Sequence, residues 1–122
     1  LPTEAVTKAA NIRTLSIAGL IGLATSAHYV AAKHGVVGLT KSAAIEYAQD
    51  GIRVNCVNPG YTTTPMTTET IAERGEEILA KVPMRRMGVP GEIAEAVAWM
   101  CSDRASFMTG AAHVVDGGYY AA

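Results

Sequence analysis

The chain has no surplus of either charge, no long apolar run and almost no cysteine, and each shortage removes a class of protein. Ten Lys and Arg stand against eleven Asp and Glu, a formal net charge of -1. With no basic excess to neutralise a phosphate backbone, general nucleic-acid binding by charge is excluded. The apolar stretches are broken by Ser, Thr, His or Lys, well short of the roughly eighteen residues of a membrane span. The opening LPTEAVTKAA has no basic start followed by an apolar block, so it does not read as a secretion signal. Cys56 and Cys101, the two cysteines, fit neither a disulfide framework nor a CxxC metal pattern. They are expected to be buried free thiols of a cytoplasmic protein. His28, His34 and His113 have no ligand spacing with one another or with acids, so no metal site is expected. What the chain does have is 49% hydrophobic residues and only 17% charged ones across 122 positions. That is core enough for one domain and excludes long disorder.

Patterning divides the chain into alternating strands and helices, with no repeat or linker between them. Residues 11–16 predict a short strand, and Gly19 and Gly22 a loop. Residues 29–48 predict a helix with two apolar stripes. One runs through Ala32, Val36, Leu39, Ala43 and Tyr47, the other through Val30, Val37, Ala44 and Ala48. A helix apolar on two faces needs two covers, and the second stripe is expected to meet a partner. Asp50-Gly51 ends it, residues 52–57 read as a buried strand, and Asn58-Pro59-Gly60 is a turn at its C-terminal end. Residues 67–81 predict an amphipathic helix with Thr70 and Glu73 as a capping box and a break at Gly75. Pro90 opens another helix, with Ile93, Val97, Met100 and Cys101 on its apolar face. Met84, Met87, Met100 and Met108 are expected to fill core gaps. A last strand spans residues 112–115, closed by Asp116-Gly117-Gly118. Tyr119 and Tyr120 then either pack in a subunit contact or fray. Strands alternating with helices imply right-handed crossovers and a parallel sheet.

The chemistry is concentrated near the start of the long helix. Tyr29 and Lys33 are four residues apart, which sets both side chains on one helical face. A free tyrosine titrates near about 10 and needs a nearby cation to exchange protons at neutral pH. Ser16 lies thirteen residues before Tyr29, ahead of the glycine-containing loop. A serine there can return to the helix start and donate a hydrogen bond to a substrate oxygen.

Ser16, Tyr29-x-x-x-Lys33, Arg53-Val54-Asn55 leading into Asn58-Pro59-Gly60, and Thr64-Pro65-Met66 follow one another in that order. Pro83-Met84-x-Arg86-Met87-Gly88, Pro90-Gly91-Glu92-Ile93-Ala94 and Asp116-Gly117-Gly118 complete a series covering about five sixths of the chain. In these motifs the sequence resembles the short-chain dehydrogenase/reductase family. The resemblance implies an α/β fold, the C-terminal half of a Rossmann-like doubly wound parallel sheet, with about three strands and flanking helices. It implies that Tyr29 is the acid-base group, that Lys33 lowers its pKa and bonds the nicotinamide ribose, and that Ser16 orients the substrate oxygen. Pro59, Gly60, Thr62 and Thr64 match the loop around the nicotinamide end of NAD or NADP, where a Pro-Gly turn presents backbone donors. Residues at about 61–88 match the variable substrate lid. A small-molecule alcohol or carbonyl substrate is implied. So is a homo-oligomer, dimer or tetramer, formed through the 29–48 helix and the last helix-strand pair.

The departures from the family pattern lie in what should precede these motifs. None of the twelve glycines forms G-x-G-x-x-G or G-x-x-x-G-x-G, the turn that seats a pyrophosphate on a helix N-terminus. Residues 1–13 match the family poorly, and the first residue is Leu rather than Met. The expectation is therefore one partial Rossmann-type domain, residues 1–122, without the dinucleotide-binding half. The implied function is NAD(P)-dependent interconversion of an alcohol and a ketone or aldehyde, and it attaches to a complete parent chain. The alternative is an inactive fragment or oligomerisation module that binds no cofactor by itself.

Overall fold

The computed structural model describes residues 9–122, and the opening residues 1–8 lie outside that range. The elements are β1 (Ala9–Thr14), a 3-10 turn (Ile17–Gly19), α1 (Ala27–Tyr47), β2 (Ile52–Pro59), α2 (Thr68–Lys81), α3 (Pro90–Cys101), β3 (Ala112–Val115) and a 3-10 turn (Tyr119–Ala121). The sheet has the order β1-β2-β3. Both pairings are parallel, with Asn11 opposite Val54 and Cys56 opposite Ala112. Three parallel strands with flanking helices form the partial Rossmann-like sheet expected. Among the described residues, no helix is long and apolar enough to cross a membrane.

Local chemistry explains where the elements begin. The first strand runs two residues earlier than its sequence pattern suggests, because Ser16 is diverted to capping. Its Oγ accepts the Ala18 N–H at 3.2 Å, which takes Ser16 out of the ladder. In the same way Thr67, not Thr70, precedes α2. Its Oγ accepts the Thr64 N–H at 2.8 Å, and the helix starts at once behind it, leaving Thr70 inside the first turn. The break in α2 falls at Arg74, with φ -130° and ψ 15°, one residue before Gly75. Ahead of α3, the Glu92 carboxylate accepts from Arg86 at 2.6 Å and from the Val89 N–H at 3.0 Å. These donors, the guanidinium above all, hold its pKa down at about 2.

Packing corrects three expectations. The face of α1 buried against the sheet is Val37, Thr40 and Ala44, so the stripe expected to meet a partner is the inner one. Leu39, Ile45 and Tyr47 face outward instead. Small side chains decide the direction: an added Cβ at Gly19 would come within 3.0 Å of Val37, and one at Gly110 within 3.3 Å of Ala44. Cys101 is exposed and only Cys56 is buried, because α3 seals its end with Met100. Met84, expected in the core, is exposed as well.

The centre of the core is β2, whose residues 53–58 are all buried, including Arg53, Asn55 and Asn58. Buried polar groups have to be hydrogen-bonded. The Arg53 guanidinium donates to the carbonyls of Met100 at 2.8 Å, Ser102 at 3.1 Å and Met108 at 3.1 Å. A cation at the C-terminal end of α3 also complements the helix dipole. The Asn55 amide donates to Met108 O at 2.9 Å and accepts from the Ala111 N–H at 3.2 Å. Together they tie the chain between α3 and β3 to the central strand. Arg53→Met is expected to lower unfolding stability by about 3 kcal/mol, since it removes the buried donor to Met100 O and unties Ser102 and Met108 from the central strand. Urea denaturation followed by far-UV circular dichroism checks this, and an unchanged midpoint would refute it.

Candidate active site

The C-terminal ends of β1 and β2 open onto a cleft of about 680 Å³. Parallel sheets carry their chemistry at this end, where successive strands release loops side by side. Six of the seven residues expected at the site, Ser16, Tyr29, Pro59, Gly60, Thr62 and Thr64, line this cleft. Lys33 stands back from the wall, one turn along α1, with its ammonium 5.4 Å from the centre of the Tyr29 ring. That is a cation–π contact.

Ser16 is fixed from below. Its backbone carbonyl accepts from the Asn58 amide at 2.8 Å, while Asn58 Oδ1 accepts the Cys56 thiol at 3.5 Å. Asn58 is fully buried. Burial, the largest influence on Cys56, pushes its thiol above the ordinary range. Asn58 was legible only as a turn residue; the missed signal was a third polar side chain in a strand that reads as buried.

The loop after β2 differs from its expected role in one respect. The Gly60 N–H donates to Val115 O at 3.1 Å, so it is spent inside the protein rather than presented to a ligand. Glycine is required there for space, because a Cβ would lie 2.6 Å from Asp116 Cβ. The donors left on the wall are hydroxyls. Thr62 Oγ donates to Gly60 O at 3.2 Å, and Thr64 Oγ lies 3.3 Å from Thr67 Oγ. These weak local bonds can be exchanged for bonds to a ligand oxygen.

Two further residues shape the cleft. Tyr61 and Tyr119 meet edge to face, with ring centres 5.6 Å apart and planes at 74°. Both line the wall. Burial, with Tyr119 next in effect, raises the Tyr61 pKa above its ordinary value. Tyr119, expected in a subunit contact or a frayed end, packs on Tyr61, and Asp116 holds the residues on either side of it. That carboxylate accepts from the Gly118 N–H at 2.9 Å and the Tyr120 N–H at 2.7 Å. Among the described residues, no three His, Cys, Asp or Glu side chains gather as a metal site.

Comparison with known proteins identifies the family. The family model described as Enoyl-(Acyl carrier protein) reductase matches residues 2–120, taking in most of the opening segment that had read as a poor match. The chain is 55% identical over 109 residues to cyclohexanol dehydrogenase of Acinetobacter sp. (strain SE19), covering 88% of this chain and 42% of that protein. It is 48% identical over 110 residues to cis-4-hydroxycyclohexanecarboxylate dehydrogenase of Sinomonas cyclohexanicum, covering 90% and 44%. Among solved structures, 4-hydroxyisoleucine dehydrogenase complexed with NADH superimposes with a TM-score of 0.88 at 33% identity, covering 93% of this chain and 47% of that one. The chain belongs to the short-chain dehydrogenase/reductase family and corresponds to its C-terminal half. It spans 42% and 44% of the length of the two curated relatives.

The Asn58 contact is open to test. Asn58→Ala is expected to cost about 2 kcal/mol of stability by removing the buried amide that joins Ser16 O to the Cys56 thiol. Because the Gly19 N–H also bonds Ser16 O, amide exchange at Gly19 should accelerate more than at Val37 of α1. Equal acceleration at both, measured by hydrogen–deuterium exchange, would refute a local role.

Proposed function

We propose that this chain forms the catalytic half of an NAD(P)-dependent dehydrogenase or reductase that interconverts an alcohol with a ketone or aldehyde in the cytoplasm. The observation that carries the reading is the single cleft wall shared by Ser16, Tyr29, Thr62 and Thr64. Ser16 Oγ uses its acceptor capacity on the Ala18 N–H, which leaves its O–H to donate to the substrate oxygen. Tyr29, exposed at the start of α1, exchanges the proton with that same oxygen. The Lys33 ammonium, 5.4 Å from the centre of the Tyr29 ring, is the cation that stands beside the phenol. Pro59, Gly60, Thr62 and Thr64 shape the wall that would hold the nicotinamide end. When bound, the dinucleotide supplies the acceptor or donor of the hydride.

One observation favours an association role beside the catalytic one. Leu39 and Ile45 are 58% and 79% exposed on α1, and Tyr47 at its C-terminal end is exposed as well. Phe107, between α3 and β3, is fully exposed. Apolar side chains so arranged mark a contact surface. The proposed assembly is a homo-oligomer, dimer or tetramer, formed through α1 and the α3–β3 pair.

In a full-length family enzyme carrying this chain, Tyr29→Phe is expected to lower kcat at least about a thousandfold. Cofactor binding should be unchanged, while Lys33→Ala should damage both. Steady-state kinetics with cofactor titration decides; retention of a tenth of the activity by Tyr29→Phe would refute the acid-base assignment. Leu39→Glu with Ile45→Glu is expected to shift the assembly toward monomer in light scattering at micromolar concentration. An unaltered mass would remove α1 from the interface.

A further inference from the structure

We infer that Tyr119 is a positioning residue, which acts through Tyr61 to fix the loop carrying Thr62 and Thr64 for the dinucleotide. This rests on the dehydrogenase reading and adds to it a residue that reaches the loop from beyond β3. Tyr61 follows Gly60 at the start of that loop. Its carbonyl accepts from the Gly88 N–H at 2.9 Å, and the Thr63 N–H donates to Gly88 O at 2.9 Å. The backbone on both sides of Thr62 is thereby pinned to one glycine, as an isolated parallel bridge. The Thr62 and Thr64 hydroxyls bond to Gly60 and Thr67 of the same segment, so they move with it.

The side chain of Tyr61 supplies a second anchor. Its ring borders the cleft and also a smaller cavity of about 170 Å³, shared with Met84, Arg86 and Asp116. A ring beside cavities is held by the neighbours it does touch. The aromatic one is Tyr119, edge to face at 5.6 Å. Tyr119 in turn stands on a fixed turn, since Asp116 bonds the N–H groups of Gly118 and Tyr120 on either side of it. A Cβ on Gly117 would lie 2.9 Å from Val82, and one on Gly118 3.1 Å from Pro83, so the turn is seated closely on the chain leaving α2. The Met84 N–H donates to Gly117 O at 3.1 Å and closes the seat. Rigid backbone behind Tyr119 thus reaches the loop through one aromatic contact. A loop held in place beforehand loses less freedom when its ligand binds.

The test uses the full-length family enzyme carrying this chain, with Tyr119→Ala, Tyr119→Leu and Tyr119→Phe, and with Tyr120→Ala as control. Without dinucleotide, hydrogen–deuterium exchange at the Thr63 amide should accelerate about tenfold in the Ala and Leu variants of Tyr119. It should stay within about twofold of wild type in Tyr119→Phe, which keeps the ring, and in Tyr120→Ala. The Leu15 amide, bonded to Val57 O at 2.9 Å at the exit of β1, should keep its rate in all four. KM for the dinucleotide should rise about tenfold in Tyr119→Ala and Tyr119→Leu, with kcat within about twofold. Equal acceleration at Leu15 and Thr63 marks a general loss of stability and overturns the inference. So does a Tyr119→Leu enzyme that matches wild type, which would reduce the contact to bulk. Faster exchange at Thr63 with an unchanged KM overturns it too and leaves the dehydrogenase reading standing. If the wild-type enzyme turns over no alcohol or carbonyl with NAD or NADP, that reading falls and the inference falls with it.

Discussion

Three polar side chains buried in the central strand must find partners, and where they find them arranges the rest of the molecule. Arg53 and Asn55 reach the end of α3 and the segment leading into β3. Asn58 reaches the turn that follows β1. Leaving any one unpaired costs about 1–3 kcal/mol, a sizeable share of a small domain's stability. The strand therefore does more than contribute apolar surface to the core. Its amides and guanidinium prescribe which loop lies on which side and how far along it sits.

The site follows from that prescription. Ser16 stands just beyond β1, the loop carrying Thr62 and Thr64 continues β2, and Asp116 follows β3. Three neighbouring strand ends thus deliver to one cleft, in order, the Ser16 hydroxyl, the wall carrying Thr62 and Thr64, and a carboxylate that holds the residues on either side of Tyr119. The contact between Gly60 and Asp116 locks the last two together, because no side chain fits between them. The Gly60 N–H completes the lock by bonding Val115. A backbone donor that looks available in the sequence is thereby used to bind two loops of the protein.

Much of this was legible in the residues themselves. The run from Ile52 to Val57 reads as a buried strand, Pro90 marks the first residue of α3, and residues 112–115 form β3 as expected. The spacing of Ser16, Tyr29 and Lys33 placed the first two on one wall, with the third beside the phenol. What could not be read were choices made by contacts distant in sequence. An Ala-rich helix is nearly as apolar on one side as the other, so only its fit against Gly19 and Gly110 shows that Val37 and Ala44 point inward. Tyr119 looks like a loose end until Asp116 and Tyr61 are brought beside it. Thr67 stands at the start of α2 with its hydroxyl bonded back to the Thr64 N–H and no side-chain cap on the helix, so the capping box at Thr70 and Glu73 is not realised.

The cleft divides its work between fixed and adjustable parts, and the division has a physical basis. The groups that must be accurate are attached to β2 or to what β2 holds: Ser16 through Asn58, and the loop through Gly60. Such anchoring keeps reacting groups aligned without help from the substrate. The lid side is built differently. α2 is kinked at Arg74, Ile78 is its buried residue, and its ion pair between Arg74 and Glu77 is exposed. Segments with few buried contacts open locally at low cost. In the proposed reading, accuracy at Ser16 and tolerance at the cleft entrance reside in different elements, so α2 can vary without disturbing the contact between Asn58 and Ser16.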